Sequence, residues 1–320
     1  MADKLSFLTS VATTRAVLET YGLATKKALG QHFLISDGVV KRICDVAALH
    51  PQDKVLEVGP GIGTLTIALL QKAASVVAVE RDSDLIAVLA DTCAAYGENL
   101  TVLNQDALNL SETDLPFLPN KFVANLPYAV AATLVLDFFE RFSSLESATV
   151  MVQSEVADRM CAKPSTKTYG SYTVKLSLFA RPTDRFTVGA QNFFPPPRVD
   201  SAVLRLDRCR PQDAEGVSLS AEVVQATAMM ADAAFANRRK TILNSCKSYF
   251  EARTQKAGAS KDFKEFKGAS STSQPSLTET LEELFEQAGI DPKRRGETLS
   301  TADFIRLGLL AKRLNILNAR

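Results

Sequence analysis

The apolar positions change their spacing along the chain. Residues 54–58 (KVLEV), 76–80 (VVAVE), 100–103, 121–124 and 148–153 are short, nearly continuous apolar runs. That is the form of strands buried on both faces of a sheet. Between them, 64–72, 84–96 and 130–142 carry apolar residues at helical spacing, and a further helix bearing Glu155, Arg159 and Met160 follows the fifth run. Strands alternating with helices predict a parallel α/β sheet. Residues 202–206 add a closing strand. Upstream, 1–24 reads as one amphipathic helix, and 38–49 as a second, capped by Ser36 or Asp37. The pattern changes after 206. Residues 207–217 read as a linker, and only helical spacing follows, at about 219–236, 238–250, 278–288 and 301–315. Within that half, 253–276 is rich in Ser, Lys, Gly and Ala with few large apolar residues, so a loosely ordered insertion is expected there. The prediction is an α/β domain over 1–206 and a small all-helical domain over 207–320.

The ends of the predicted strands hold the candidate chemistry. The first runs straight into Gly59-Pro60-Gly61-Ile62-Gly63 and then a helix, the strand–glycine turn–helix order of a dinucleotide-type site. Gly59 and Gly61 let the backbone approach a ligand closely. The second strand ends in Glu80, 21 residues after Gly59, a spacing that suits an acid gripping a ribose diol. The glycines follow G-x-G-x-G rather than the full nicotinamide-cofactor pattern, and Glu57 precedes them. This combination favours S-adenosylmethionine (SAM), which has no pyrophosphate to cradle. The third strand leads to Asp106, whose carboxylate can accept from an adenine amine or simply cap a turn.

The fourth strand delivers Asn125-Leu126-Pro127-Tyr128. Asn125 offers a carboxamide oxygen as acceptor. Pro127 fixes its own φ and biases Leu126 towards an extended conformation, which aims the Leu126 or Pro127 carbonyl. Tyr128 offers a face on which a base can stack. Two acceptors beside an aromatic plate suit a planar amino-purine; an Asn-Pro turn with a half-buried Tyr is the plainer alternative. Three prolines stiffen the segment 192–201, so Phe193 is expected to supply a second stacking plate. His32, in a polar loop, can offer a ring nitrogen to a ligand. The loop 163–171 is either a basic lip over the substrate or a surface turn.

Composition narrows the chemistry. The chain has 320 residues, enough for two domains and a large core, with 46% hydrophobic and 23% charged residues. No apolar run approaches the ~20 residues that span a bilayer. The first 22 residues lack an uninterrupted apolar stretch and carry Asp3 and Glu19, so no secretory signal is expected. The five cysteines lie far apart with no C-x-x-C and read as reduced thiols of a cytosolic protein. His32 and His50 are the only histidines, which removes most His-based metal sites and Ser-His-Asp or Cys-His arrangements. The reaction should therefore come from a cofactor and positioning, with no metal. Net charge is +1, but residues 1–206 carry −2 and 207–320 carry +3. Lys26-Lys27, Arg238-Arg239-Lys240 and Lys293-Arg294-Arg295 are local basic clusters suited to phosphates, or to solvated helix ends.

KKALGQHFL (26–34), LEVGPGIGTLT (56–66), VAVERD (77–82), QDAL (105–108), NLPY (125–128), FFPPPRVDSAVLRL (193–206), FANRRKTILNS (235–245) and GIDPKRRGETLSTADFIRL (289–307) occur in that order. Together they resemble the bacterial small-subunit ribosomal RNA adenine dimethyltransferases of the KsgA type, over nearly the whole chain. The resemblance implies a Rossmann-like SAM-dependent methyltransferase domain followed by a helical RNA-binding domain. It implies cofactor contacts at His32, Leu34, Gly59, Glu80, Asp106 and Asn125. The implied reaction places two methyl groups on N6 of each of two adjacent adenines near the 3′ end of 16S rRNA. The implied partner is the immature 30S subunit, met by a monomer. His32 stands where many relatives carry Asn, and Ala124 where they often carry Gly. Two other readings stand beside this one, although the 289–307, NLPY and FFPPPRVDS segments favour the small-subunit type over the first. One is the sister family that dimethylates large-subunit RNA and confers macrolide resistance. The other is an assembly checkpoint factor for which methylation is secondary.

Overall fold

The computed structural model describes residues 4–25, 31–258, 276–314 and 316. The chain forms two compact units, one of residues 1–158 and 180–208, the other of 159–179 and 209–320. Residues 159–179, assigned by sequence to the first domain, thus belong with the helices of the second.

The first unit is built on a seven-stranded sheet among the described residues. Counting from a two-residue strand β1 (Phe33–Leu34), it contains β2 (Lys54–Val58), β3 (Ser75–Glu80), β4 (Leu100–Asn104), β5 (Lys121–Asn125) and β6 (Ser147–Gln153). β7 (Ala180–Val188) and β9 (Ser201–Arg208) complete it, and β8 is the pair Phe193–Phe194. The order is β4-β3-β2-β5-β6-β9-β7. The first five are parallel, and β9 runs antiparallel to both β6 and β7. Four consecutive residues of β2 and six of β6 are buried, as their unbroken apolar runs require. The chain winds outward from β2 to β4 and then returns to place β5 on the other side of β2. That reversal opens a crevice at the carboxyl ends of β2 and β5, where ligands of such sheets bind.

Helices follow the strands. α1 (Val11–Thr20) and α2 (Asp37–Ala47) precede β2; α3 (Thr64–Leu70), α4 (Asp84–Thr92), α5 (Ala131–Arg141) and α6 (Ser154–Met160) follow in turn. All seven residues of α3 are buried. The expected helix over 1–24 is shorter, because Ser10 takes the Thr13 N–H on its side chain and starts α1 at Val11. β7 has no signature in the apolar spacing. It is an edge strand whose Arg181–Arg185 stretch is exposed and contains Pro182, the charge and proline that blunt a sheet edge. β1 pairs antiparallel with β8, Phe33 opposite Phe194 and Leu34 opposite Phe193.

The second unit contains α7 (Ser171–Ser177), α8 (Ala221–Phe235), α9 (Ile242–Gly258), α10 (Leu277–Ala288) and α11 (Thr301–Arg313). α9 runs beyond the predicted helix into the first part of the expected insertion. The remainder of that insertion, 259–275, lies outside the described residues. α8 and α11 pack closely: a Cβ on Gly308 would collide with the Thr227 Oγ1 and lie 2.8 Å from its backbone nitrogen. Residues 163–167 of the loop 163–171 form an exposed turn, the plainer expectation, and the loop enters this core at Tyr169. Tyr169 is 2% exposed, and its hydroxyl donates to the Leu299 carbonyl at 2.8 Å.

Candidate active site

The crevice at the strand ends is a cleft of about 380 Å³, within the range that holds a small cofactor. The turn after β2 forms its floor. Gly59 and Gly61 have φ of 70° and 62°, the left-handed region that glycine enters freely. The Gly61 N–H donates to Glu80 Oε2 at 3.3 Å, and the Asp82 N–H to Glu80 Oε1 at 2.8 Å. These bonds hold the Glu80 carboxylate at the mouth of β3 with lone pairs left for a diol. Burial raises its pKa, and the two N–H donors oppose that rise.

Asp106 follows β4 and lines the same cleft. Its Oδ1 accepts from the Leu108 N–H at 3.1 Å, and its Oδ2 lies 3.4 Å from Arg81 Nη1. The turn cap and the cleft wall are thus one residue.

β5 ends at Asn125, whose Nδ2 donates to the His32 carbonyl at 3.3 Å and so turns Oδ1 into an available acceptor. The Leu126 N–H donates to the Met151 carbonyl at 3.1 Å, and the Pro127 carbonyl accepts from the Val130 N–H at 3.2 Å. The Pro127 carbonyl therefore closes a turn, and of the two carbonyls the sequence allowed, that of Leu126 is the one left for a ligand. The Tyr128 hydroxyl lies 2.7 Å from Ser201 Oγ. Burial raises the tyrosine's pKa, which Ser201 opposes.

Ten predicted residues share this cleft: His32, Leu34, Gly59, Gly61, Glu80 and Asp106, with Asn125, Leu126, Pro127 and Tyr128. Phe193 does not. Pairing with Leu34 turns it inward, where it is 2% exposed in the core, so it forms no plate opposite Tyr128. The ring beside Tyr128 is that of His32, with centroids 5.8 Å apart and planes inclined by 26°. His32 Nδ1–H donates to the Pro195 carbonyl at 2.8 Å, so the proline-rich segment braces the histidine instead of presenting a phenylalanine. Sequence reasoning left Ser201 and Pro195 out of the site. Ser201 had no signal beyond its place in the proline segment, since its meeting with Tyr128 depends on the β6–β9 pairing.

The residues present fit SAM. The carboxyl groups of Glu80 and Asp106 line the cleft beside the buried Glu57 and beside Arg81, acceptors that suit a ligand rich in N–H and O–H donors. A Cβ on Gly59 would lie at ordinary contact distance, 3.4 Å, from Pro127 Cδ, so the positive φ and not crowding asks for glycine there. Glu57 Oε2, buried and lining the cleft, has no hydrogen-bond partner among the described residues.

Two of the basic clusters are partly committed elsewhere. Arg238 Nε donates to Glu297 at 2.8 Å and its Nη2 to the Thr166 carbonyl at 3.1 Å. Arg294 Nη2 donates to the Thr298 carbonyl at 2.6 Å. Arg239, Lys240, Lys293 and Arg295 are exposed. Lys26-Lys27 lies outside the described residues.

Comparison with known proteins gives a consistent result. The sequence model of the family described as "Ribosomal RNA adenine dimethylase" matches residues 22–279. A "Ribosomal RNA small subunit methyltransferase A" from Acidothermus cellulolyticus is 38% identical over 300 residues, 92% of each chain. The protein of the same name from Enterococcus faecalis is 39% identical over the same share of each chain. Among solved structures, a dimethyladenosine transferase from Plasmodium falciparum superposes with a TM-score of 0.71 at 24% identity, over 89% of this chain and 98% of the other. That likeness concerns the fold.

Proposed function

Because this chain belongs to the ribosomal RNA adenine dimethylase family, we propose that it uses SAM to dimethylate N6 of two adjacent adenines near the 3′ end of small-subunit rRNA. The observation that carries this reading is the convergence of Glu80, Asp106, Asn125 and Tyr128 on one cleft at the reversal of the strand order. The small-subunit specificity rests on the names of the relatives that match 92% of the chain.

In this reading Glu80 holds the ribose and Asp106 the adenine amine of the cofactor, with His32, Leu34, Gly59 and Gly61 closing around it. When bound, the cofactor supplies an electrophilic methyl on sulfur. The rest of the task falls to the chain. The N6 lone pair of the substrate is delocalised into the purine ring, so the amine is a poor nucleophile. Asn125 Oδ1 and the Leu126 carbonyl accept its two N–H bonds, turn it out of conjugation and aim the lone pair. No strong base is required, because the nitrogen sheds its proton readily once it is cationic. The target adenine must leave its helical surroundings, at a cost of a few kcal/mol. Stacking on Tyr128 returns about 1–3 kcal/mol. Arg239, Lys240, Lys293 and Arg295 contact RNA phosphates.

The test is methyl transfer from labelled SAM to small subunits from a strain lacking the modification, and to large subunits, with the product nucleosides identified by mass spectrometry. Dimethyladenosine in the small subunit alone is the expected result. Label in the large subunit instead would overturn the substrate assignment.

A further inference from the structure

Ser201 takes no part in the steps above, yet it reaches the site through Tyr128. It opens β9 and is fully buried, ahead of the apolar Ala202, Val203 and Leu204. A hydroxyl buried at such a position costs free energy unless it is hydrogen-bonded, and an alanine would serve the packing as well. The bond that it makes is to the Tyr128 hydroxyl, at 2.7 Å.

The two ends of that bond differ in how firmly they are held. Ser201 lies between two strands, opposite Gln153 of β6 and Val188 of β7. Its neighbour Asp200 accepts the Ser154 N–H on its carbonyl at 3.1 Å and the Ala190 N–H on Oδ1 at 3.3 Å. Tyr128 stands on the turn between β5 and α5, half-buried in the cleft wall. A tyrosine ring on a turn can swing about its side-chain torsions, and a bond from its far end to a strand-held serine removes that freedom. The same proline-rich segment holds the ring's neighbour. The Pro195 carbonyl accepts from His32 Nδ1–H at 2.8 Å, and the His32 ring lies 5.8 Å from that of Tyr128 with the planes 26° apart. His32 thus covers one face of the tyrosine and leaves the other for a base.

We infer that Ser201 is a positioning residue for base capture: it fixes the Tyr128 ring, before the RNA arrives, in the orientation on which the target adenine stacks. The inference rests on the reading that Tyr128 stacks the target base. A ring already ordered in the free protein need not be ordered in the complex, so the gain appears in the methyl-transfer step and not in cofactor binding. Burial raises the Tyr128 pKa above its ordinary value, so the contact joins two neutral hydroxyls at neutral pH. A bond of that kind changes an equilibrium by about three- to tenfold.

The test is a double-variant cycle on the full chain: the parent, Ser201→Ala, Tyr128→Phe and the two together. Each is assayed for kcat on small subunits lacking the modification, and for its affinity for SAM and for the subunit. Ser201→Ala should lower kcat about three- to tenfold with both affinities unchanged. In the Tyr128→Phe background the same serine substitution should lower kcat no further, because the hydroxyl it held is gone. A fall of less than about twofold, an equal loss in both backgrounds, or a loss carried by SAM affinity overturns the inference; an equal loss would show that Ser201 serves packing alone. If Ser201→Ala does not fold, Tyr128→Phe decides, since it keeps the stacking ring and loses only the tether: it should show the same fall, and an unchanged kcat overturns the inference. A second readout needs neither cofactor nor RNA. With fluorotyrosine in place of the six tyrosines, the fluorine NMR line missing from Tyr128→Phe belongs to Tyr128, and Ser201→Ala should move it; an unmoved line overturns the inference. A parent chain that transfers no methyl group to either subunit overturns the stacking reading along with this one, whereas transfer that Ser201→Ala leaves untouched overturns this inference alone.

Discussion

Replacing Gly61 by alanine tests whether the glycine turn shapes the cleft. Gly61 has φ of 62°, and a side chain in that region costs about 1–2 kcal/mol over glycine. The added Cβ would also sit 3.1 and 3.2 Å from two ring carbons of Phe33. That ring is 6% exposed in the core, so it has little room to yield, and crowding adds about 1 kcal/mol. The total, about 2–3 kcal/mol, can be taken in two places. If the turn keeps its shape, the loss appears as stability. If the turn relaxes, the Gly61 N–H leaves Glu80 and the loss appears in cofactor affinity, as roughly a 30- to 150-fold weakening. Thermal melts and SAM titrations of the Gly61→Ala protein measure the two shares. An unchanged melt together with affinity within twofold of the parent would refute the reasoning. It would mean that neither the left-handed backbone nor the Phe33 contact constrains the turn.

Asn125→Ala should lower kcat for methyl transfer about a hundredfold, the ~3 kcal/mol of one lost transition-state hydrogen bond; a fall under threefold in steady-state assays removes Asn125 from the chemistry. Gly308→Ala should destabilise the helical unit by about 1–3 kcal/mol in urea titration, because the Cβ collides with Thr227 backbone as well as its hydroxyl. A more stable variant would show that helix propensity, about 1 kcal/mol in alanine's favour, outweighs the packing. Neutralising Arg239, Lys240, Lys293 and Arg295 to glutamine should flatten the log–log salt dependence of small-subunit binding by about 3–4 units, and an unaltered slope places the RNA elsewhere. Arg238→Gln should instead cost stability, since that guanidinium braces Glu297 and Thr166. The unliganded fold keeps the Glu57 proton that the unfolded chain loses near 4.5, so that residue's contribution makes stability fall as pH rises from about 4.5 to about 8. Glu57→Gln should remove that slope in melts run across the window.

What was legible in the sequence follows from burial. β2, β3, β5 and β6 are buried on both faces, so their apolar runs are unbroken and their ends locate Glu80 and Asn125. β7 shows only Ala180, Phe186 and Val188 to the core and hides behind the charges of an edge. β1 and β8 have two residues each, too few to show a period. The same limit explains Phe193. Adjacent phenylalanines in a short strand point to opposite faces, and neither Phe193 nor Phe194 lines the cleft. The His32–Tyr128 stack joins segments 93 or more residues apart, and the transfer of 159–179 to the helical unit is equally a tertiary fact.

The helical unit is assembled from two stretches of chain that are made at different times. Tyr169 donates to a carbonyl 130 residues downstream. At the usual pace of translation, about 5–20 residues per second, the two partners emerge roughly 6–26 s apart. At its start Tyr169 and Val174, both buried in the finished helical core, have none of α8 to α11 to cover them, and α8, α9 and α10 arrive one after another before Leu299 does. The strands β7 and β9 appear sooner, so the sheet can close while the segment that precedes them still waits. Synthesis of this chain therefore passes through a nascent species in which an apolar stretch beside the finished sheet waits for its cover.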